Sequence, residues 1–217
     1  MGTTEQLVGN TVCEFVIKCM GNGMAHEVKL EKTHIIGNGN SAKLFEDDGS
    51  MSIVACNIPQ HGHRYTHLSI IDSQPVVWMS NTGWQPSVPV LCNKRAYNTA
   101  ERYNIGGDWQ LVYDDLYRSN SGHWAAWHII KQPVKEIHLW GMDSMFSDDL
   151  TSQMDTIVKR PQRPKLNQHW HPHWQDVFAK GQHIKWYLHT PENVEPLVVA
   201  DNLTQITHKT HSSTEIL

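Results

Sequence analysis

Three histidines fall within five residues, His169, His171 and His173, in the run HWHPHW. Such a cluster admits three chemistries. A metal site is one, but an extended HxHxH run presents alternate side chains on one face, and Pro172 interrupts that geometry. The cysteines, at 13, 19, 56 and 92, also form no CxxC pair that could complete a zinc site. A single histidine acting as general base is the second, since an imidazole titrates near neutrality without help. Aromatic and histidine packing beneath a loop is the third.

A different chemistry is suggested by THIIGNGNS, residues 33–41. Ile35 and Ile36 run directly into Gly37, Asn38, Gly39, Asn40 and Ser41, which reads as a buried strand and a tight turn. SAKLFEDD follows and can open a helix over 41–47 with Ser41 as its N-cap. A strand, a glycine turn and a helix start present backbone N–H groups and a positive dipole end to an anion. Gly39 would let a ligand reach the backbone. The spacing is not GxGxxG, so it carries no dinucleotide fingerprint. Ser121 and Gly122, at the start of another helical stretch, offer a second anion cradle by the same argument. Asp143 follows an apolar run and a glycine; it can cap the next segment, hold a ligand hydroxyl or order its loop. With Asp148 and Asp149 it supplies enough carboxylate for a divalent ion, although acidic pairs in loops are commonly just solvated.

The elements that must position these groups can be read in order. VCEFVIKCM and HEVKLE alternate around GNG at 21–23, which predicts a β-hairpin within residues 1–32. Short apolar runs at 33–36, 52–57, 67–72, 89–93, 136–143 and 183–188 predict strands. Several end in Gly, Asn or Asp, where open parallel sheets place their ligand contacts. Helices are expected at 94–103, at 119–132 with a cap among Ser119–Ser121, and at 174–181. Trp124, Trp127 and Ile130 recur at helical spacing, as core residues do. Residues 147–168 form a long charged connection with two prolines, the pattern of a lid. From 196 to 217 the chain reads as a polar tail. The fold class is therefore α/β, one domain over 33–195 with a mostly parallel sheet.

The chain has 217 residues, a net charge of −4 and 18% charged residues. That length suits one domain burying about 70% of its unfolded surface, and nothing in it resembles the basic footprint of a nucleic-acid binder. Without paired cysteines, a signal-peptide pattern or an apolar run near 18 residues, a reduced cytoplasmic protein with no membrane span is expected. Nine Trp and fifteen His favour ring-lined pockets or aromatic contact surfaces.

As an ordered set, IIGNGNS, ACN at 55–57, IIDSQP, LCNKRAYN, NSG at 120–122, KEIHLWGMD at 135–143 and HWHPH resemble the single-domain bacterial sialyltransferases that modify lipooligosaccharides. Related Rossmann proteins with a GNGPS-type loop share parts of the pattern. The resemblance spans about 33 to 190 and implies a Rossmann-like, nucleotide-sugar-binding domain. It implies that Asn38, Gly39 and Ser41 lie against the nucleotide-sugar, with Asn57 and Asp72 contacting the donor. Asn120, Ser121 and Gly122 would face the donor sugar and its carboxylate. His173, paired with His169 as H-x-x-x-H, would be the general base. The implied reaction is inverting transfer from a cytidine-monophosphate sugar to a glycan acceptor, with no metal and no cofactor beyond the donor; a homo-oligomer is compatible with it. Three departures stand out. Asn40 replaces the usual proline and Asp72 the usual asparagine. Ser144, Met145 and Phe146 stand where the family places tyrosines that hold the leaving phosphate. Such donors supply about 2.7–4 kcal/mol each in comparable sites, so His169, Arg160 or Arg163 would have to substitute, or the donor differs, or the site is degenerate. Two rival readings remain open. One is a magnesium-dependent pterin diphosphokinase-like enzyme, using Asp143, Asp148 and Asp149; the other is a non-catalytic binding or assembly protein on the same fold.

Overall fold

A computed structural model describes residues 31–59, 62–112, 120–147, 152–157 and 167–209. The hairpin expected within 1–32, Ser119, Asp148, Asp149, Arg160 and Arg163 lie outside the described residues. Of His169 only the backbone is described.

Eight strands form one sheet: β1 Lys32–Ile36, β2 Ser52–Cys56, β3 His67–Ile70, β4 Val90–Cys92, β5 Trp109–Leu111, β6 Glu136–Trp140, β7 Lys185–Pro191 and β8 Leu203–His208. Their order is β5-β4-β3-β2-β1-β6-β7-β8, and every neighbouring pair is parallel. The central strands are apolar on successive residues because both faces are covered, the pattern of a parallel sheet between helices. On one face Ile35, Val54, Leu91, Ile137, Leu139 and Leu188 pack against α3 (Ser121–Ile129) and α4 (Asn167–Lys180). On the other, Ala55, Leu68, Ile70, Val90 and Cys92 pack against α1 (Ser73–Thr82) and α2 (Lys94–Arg102). The α/β architecture with a mostly parallel sheet is thus as expected. Trp124 and Trp127 are core residues, since every residue of α3 is buried.

Several elements differ from expectation. α1, not expected from the sequence, follows Asp72 and contains Pro75 in its first turn, where a missing N–H costs nothing because no helical acceptor precedes it. The helix expected at 41–47 is a 3-10 turn, Asn40–Leu44, and Gly39 rather than Ser41 takes the N-cap position. α4 starts seven residues before 174, with Pro172 inside it. HWHPH is therefore helical, not an extended run ahead of a helix, and His169 and His173 share a face one turn apart. Within the expected lid, Gln153–Thr156 form a 3-10 turn capped by Ser152. In the expected polar tail, β8 adds a strand to β7 through Leu203–His208.

The chain runs outward from β1 to β5, returns beside β1 as β6, and runs outward again to β8. The strand order reverses between β1 and β6. In an open parallel sheet that reversal leaves a crevice beyond the strand ends, where ligands bind.

Candidate functional site at the strand-order reversal

Beyond the ends of β1 and β6 the two chains continue side by side. Gly37 N–H donates to Trp140 O at 2.7 Å and Gly39 N–H to Gly141 O at 2.9 Å. So close a crossing needs glycine on both sides. A Cβ on Gly37 would sit 2.9 Å from the Gly141 carbonyl carbon, and Gly141 itself has φ +64°.

Asp143 fills the place expected for a ligand anion. Its carboxylate accepts the Ser41 hydroxyl and, at 3.3 Å to each oxygen, the Ser41 N–H. Gly39 faces the same group, and a Cβ there would overlap the carboxylate, 2.7 Å from Oδ2. Gly39 has φ −70°, a conformation open to any residue, so its lack of a side chain makes room for Asp143. The expectation that the Gly39–Ser41 turn stands open as an anion cradle is corrected: the chain supplies the anion. A bulky residue at 39 would therefore disturb the fold as well as any ligand.

A second cluster forms over β2 and β3. Asn57 follows β2 in the left-handed region, φ +56°, which Asn tolerates better than most residues. Its Oδ1 accepts the Ser121 hydroxyl at 3.0 Å. Ser69, buried in β3, donates its hydroxyl to Ser121 O at 2.8 Å. Asn38 reaches across from the β1 turn and donates to Cys56 O at 2.9 Å. Asn38, Asn57 and Ser121 are thereby drawn to the carboxyl ends of adjacent strands, with the first turn of α3 above them. Asn120 caps that helix: its side chain accepts His123 N–H at 2.9 Å, while His123 Nδ1 accepts Asn120 N–H at 3.1 Å. Because Nδ1 accepts, the proton of the neutral ring sits on Nε2. Gly122 allows the helix start to approach Met142, whose Sδ would be 3.0 Å from a Cβ there.

α4 completes the cluster. The His173 ring lies 5.7 Å from that of His123, edge to face, and Trp174 lies 4.4 Å from it. Burial first, and the neighbouring His173 second, push His123 down to about 3, so it is a neutral ring at ordinary pH. His171 points elsewhere, with Nε2 2.8 Å from Ser144 O. Asp72 lies at the end of β3 in the N-cap position of α1 and makes no side-chain capping bond. Among the described residues, no three His, Cys, Asp or Glu side chains are placed to hold a metal ion. Cys56, at the end of β2, is buried and its thiol is pushed up to about 12, which removes it as a nucleophile.

The candidates therefore separate into two groups. Gly39, Ser41 and Asp143 form one internal contact, while Asn38, Asn57, Asn120, Ser121, Gly122 and His173 surround the start of α3. At the ends of β1 and β2 a small cleft of about 20 Å³ is lined by Asn38, Cys56, His63, Arg64 and Tyr65, among others. Arg64 is held there by Asp47 (2.9 and 3.0 Å) and by Ser50 O (2.7 Å). Sequence reasoning missed Ser69, His123 and Arg64. Only His123 carried a legible signal, since Asn-x-x-His has the spacing of a capping box.

The fold is that of a Rossmann-like α/β protein, with its candidate site at the ends of β1, β2, β3 and β6. No family model matches the chain, and no curated protein matches it. Among solved structures it is similar to the sialyltransferase CstII from Campylobacter jejuni in complex with the substrate analogue CMP-3FNeuAc. The two are 16% identical with a TM-score of 0.42, over 73% of this chain and 80% of that one. For CstII with cytidine-5'-monophosphate the identity is 16% and the TM-score 0.45, over 74% and 80%. For Cst-II with a trisaccharide acceptor and CMP the values are 16% and 0.44, over 73% and 80%. Among the described residues no helix is long and apolar enough to cross a membrane.

Proposed function

We propose that this chain transfers a sugar from a nucleotide-activated, CMP-linked donor to the hydroxyl of a glycan acceptor, as a sialyltransferase-like enzyme. The observation that carries the reading is the convergence of the α3 N-terminus, Asn57 and His173 at the carboxyl edge of the sheet. The Ser121 and Gly122 N–H groups and the helix dipole suit an anionic group of the donor. Asn57 and Asn38 offer amide contacts to its polar hydroxyls, and Asp72 at the neighbouring strand end could accept from one. His173 would take the proton of the acceptor hydroxyl as that oxygen attacks the anomeric carbon. The carbon–oxygen bond to phosphate breaks, inverting the centre and releasing the nucleotide monophosphate.

Charge stabilisation of the leaving phosphate would come from the side of the cleft. Ser144 and Met145 are buried, with the Ser144 carbonyl engaged by His171. They offer no counterpart to a pair of phosphate-holding hydroxyls. Arg64 is the cation that lines the cleft beside Asn38.

The test is a thermal-shift and turnover assay with cytidine, uridine, guanosine and adenosine nucleotides, with and without magnesium. The proposal expects a cytidine nucleotide to bind without magnesium. His173→Ala should lower turnover about 10²–10⁴-fold with little change in donor affinity. Strict magnesium dependence would favour the diphosphokinase-like rival. Cytidine-nucleotide binding with no transfer, unaltered by His173→Ala, would leave a binding protein.

A further inference from the structure

The sheet face opposite α3 and α4 carries a feature that no step of glycosyl transfer uses. His34 on β1, His138 on β6, His189 on β7 and His208 on β8 project from the same side of four successive strands, with Trp140 and Tyr187 among them. His138 Nδ1 lies 2.8 Å from His189 Nε2, and His189 Nδ1 lies 2.8 Å from His208 Nε2. Trp140 stacks on His189 with ring centroids 3.4 Å apart, and Tyr187 stacks on His138 at 4.6 Å. His34 is tied separately: Trp140 Nε1–H donates to its Nδ1 at 3.0 Å, and its Nε2 faces Asp48 at 3.2 Å and Ser50 at 3.1 Å.

Proton counting limits what this chain of rings can do. Each nitrogen-to-nitrogen link holds one proton, because two N–H groups cannot face each other at 2.8 Å. The neutral trio has three protons, two in the links and one on an outer nitrogen. One further proton can be placed on the other outer nitrogen with both links intact, leaving a single positive charge. Glu136 Oε2, 4.0 Å from His138 Nε2, faces one of these ends. The next proton must enter a link and break it.

We propose that the His138–His189–His208 ladder is a pH-operated latch that holds the edge strand β8 on the sheet and releases it when the ladder acquires a second charge. β8 is the vulnerable partner because among the described residues it pairs only with β7, and the His189–His208 link is the outermost side-chain tie between them. Two ties do not titrate: Gln205 Nε2–H donates to Thr190 Oγ1 at 2.8 Å, and Asn202 donates to the Phe178, Gly181 and Ile184 carbonyls. The Asn202 tie holds the segment before β8 in place, while the Gln205–Thr190 bond lies within the β7–β8 pair and must break with the strand's release. Among the described residues, charged and titratable groups are brought near the ladder by several elements. β1 brings Lys32 and His34, the loop after the first 3-10 turn brings Asp47 and Asp48, β6 brings Glu136, and β7 brings Lys185. Lys209 follows β8. Asp48 is engaged by Lys32 at 2.6 Å, and among the described residues no carboxylate forms an ion pair with His189 or His208 to offset a second charge. Burial and the neighbouring imidazoles also press His138 and His189 toward their neutral forms.

The test is hydrogen exchange on the full chain, corrected for the intrinsic pH dependence of exchange, comparing Leu203–His208 at pH 7 and pH 5. Protection of these amides should fall about tenfold or more in the native protein. In His189→Phe, which keeps a ring against Trp140 and cannot titrate, that fall should largely vanish. Imidazole ¹⁵N–¹⁵N couplings across the two links should be present at pH 7, and at least one should be lost once pH falls far enough to charge His138 and His189, which burial holds down to about 4 and about 3. Unchanged protection of β8 at pH 5, or couplings that persist after His138 and His189 have taken up protons, would overturn the proposal, as would equal pH dependence in His189→Phe. The coupling measurement needs no variant and stands if His189→Phe fails to fold.

Discussion

Gly39→Ala tests whether the β1 turn serves a ligand or the fold. The backbone at 39 is extended, so alanine carries no conformational penalty there, and the substitution would by itself reduce unfolded-chain entropy. Its methyl group, however, lands on the Asp143 carboxylate. Either the carboxylate withdraws or the turn moves, and both separate Asp143 from Ser41. The lost contacts are charge-assisted hydrogen bonds from Ser41 N–H and Oγ–H, about 1.5–3 kcal/mol each. They share one carboxylate, so a total near 2–4 kcal/mol is expected. That is a large part of a typical domain's 5–15 kcal/mol, roughly speaking. Asp143→Ala alone should cost about 2 kcal/mol or more, because it leaves Ser41 without its acceptor. The double variant Gly39→Ala/Asp143→Ala should cost little more than Asp143→Ala, since the added methyl group then enters vacated space. Urea unfolding followed by tryptophan fluorescence would give the cycle, with a coupling of about 1–3 kcal/mol. Strict additivity would refute the steric argument. So would a Gly39→Ala protein of native stability that binds nucleotide poorly, the result demanded if the glycine were there for a ligand.

Acid should destabilise the protein well above the range where carboxylates titrate. His67, His128 and His138 are pushed to about 4, and His123 and His189 to about 3, chiefly by burial. Each folded-state value lies below the unfolded 6.5. The unfolded chain therefore takes up protons first, and stability is full above 6.5 and lost as pH falls toward 3–4. For fully buried His123 alone the loss at pH 5 is about 2 kcal/mol; a urea midpoint that stays flat from pH 7.5 to 5 would contradict it. Asn57→Ala should cost more than Asn57→Gly in urea unfolding. Both lose the bond to Ser121, but only alanine adds the strain of positive φ, about 1 kcal/mol; equal losses would argue against a strained Asn57.

How far the chain could be read without its structure depended on whether the deciding partner was local. β1, β2, β3 and β6 were legible because their apolar runs are buried on both faces, which leaves a continuous signal. β8, LTQITH, is a half-buried strand with polar residues on both faces, and it resembled a tail. β5 has three residues and no period to detect. Pro172 would break an extended run, yet it is carried within α4, where the run is helical from the start. The site was harder. Ser41 and Asp143 are 102 residues apart, so nothing near either could reveal that the turn's donors were already engaged. Ser121 and Asn57 are separated by 64 residues and meet only because α3 crosses β2 and β3. The imidazole ladder arises one residue per strand, and only the register of three parallel strands aligns it.

The internal carboxylate at the strand-order reversal has a consequence for how a donor would lie. Asp143 is engaged with Ser41 and brings negative charge to the β1–β6 side of the crevice, and Asp72 stands at the end of β3. The loop after β6 is held down by the Ser144–His171 contact, with Met145 fully buried, so it contributes shape rather than donors. The favourable places for an anion are then the first turn of α3, with its N–H groups and dipole end, and the mouth of the cleft that Arg64 lines. A donor with two anionic groups, a phosphate and a sugar carboxylate, could use both, and a donor with one would have less reason to bind across them. Arg64→Gln and Ser121→Ala should therefore weaken a doubly anionic donor more than the bare nucleotide. Equal weakening of both in competition binding would place the phosphate and the sugar carboxylate elsewhere.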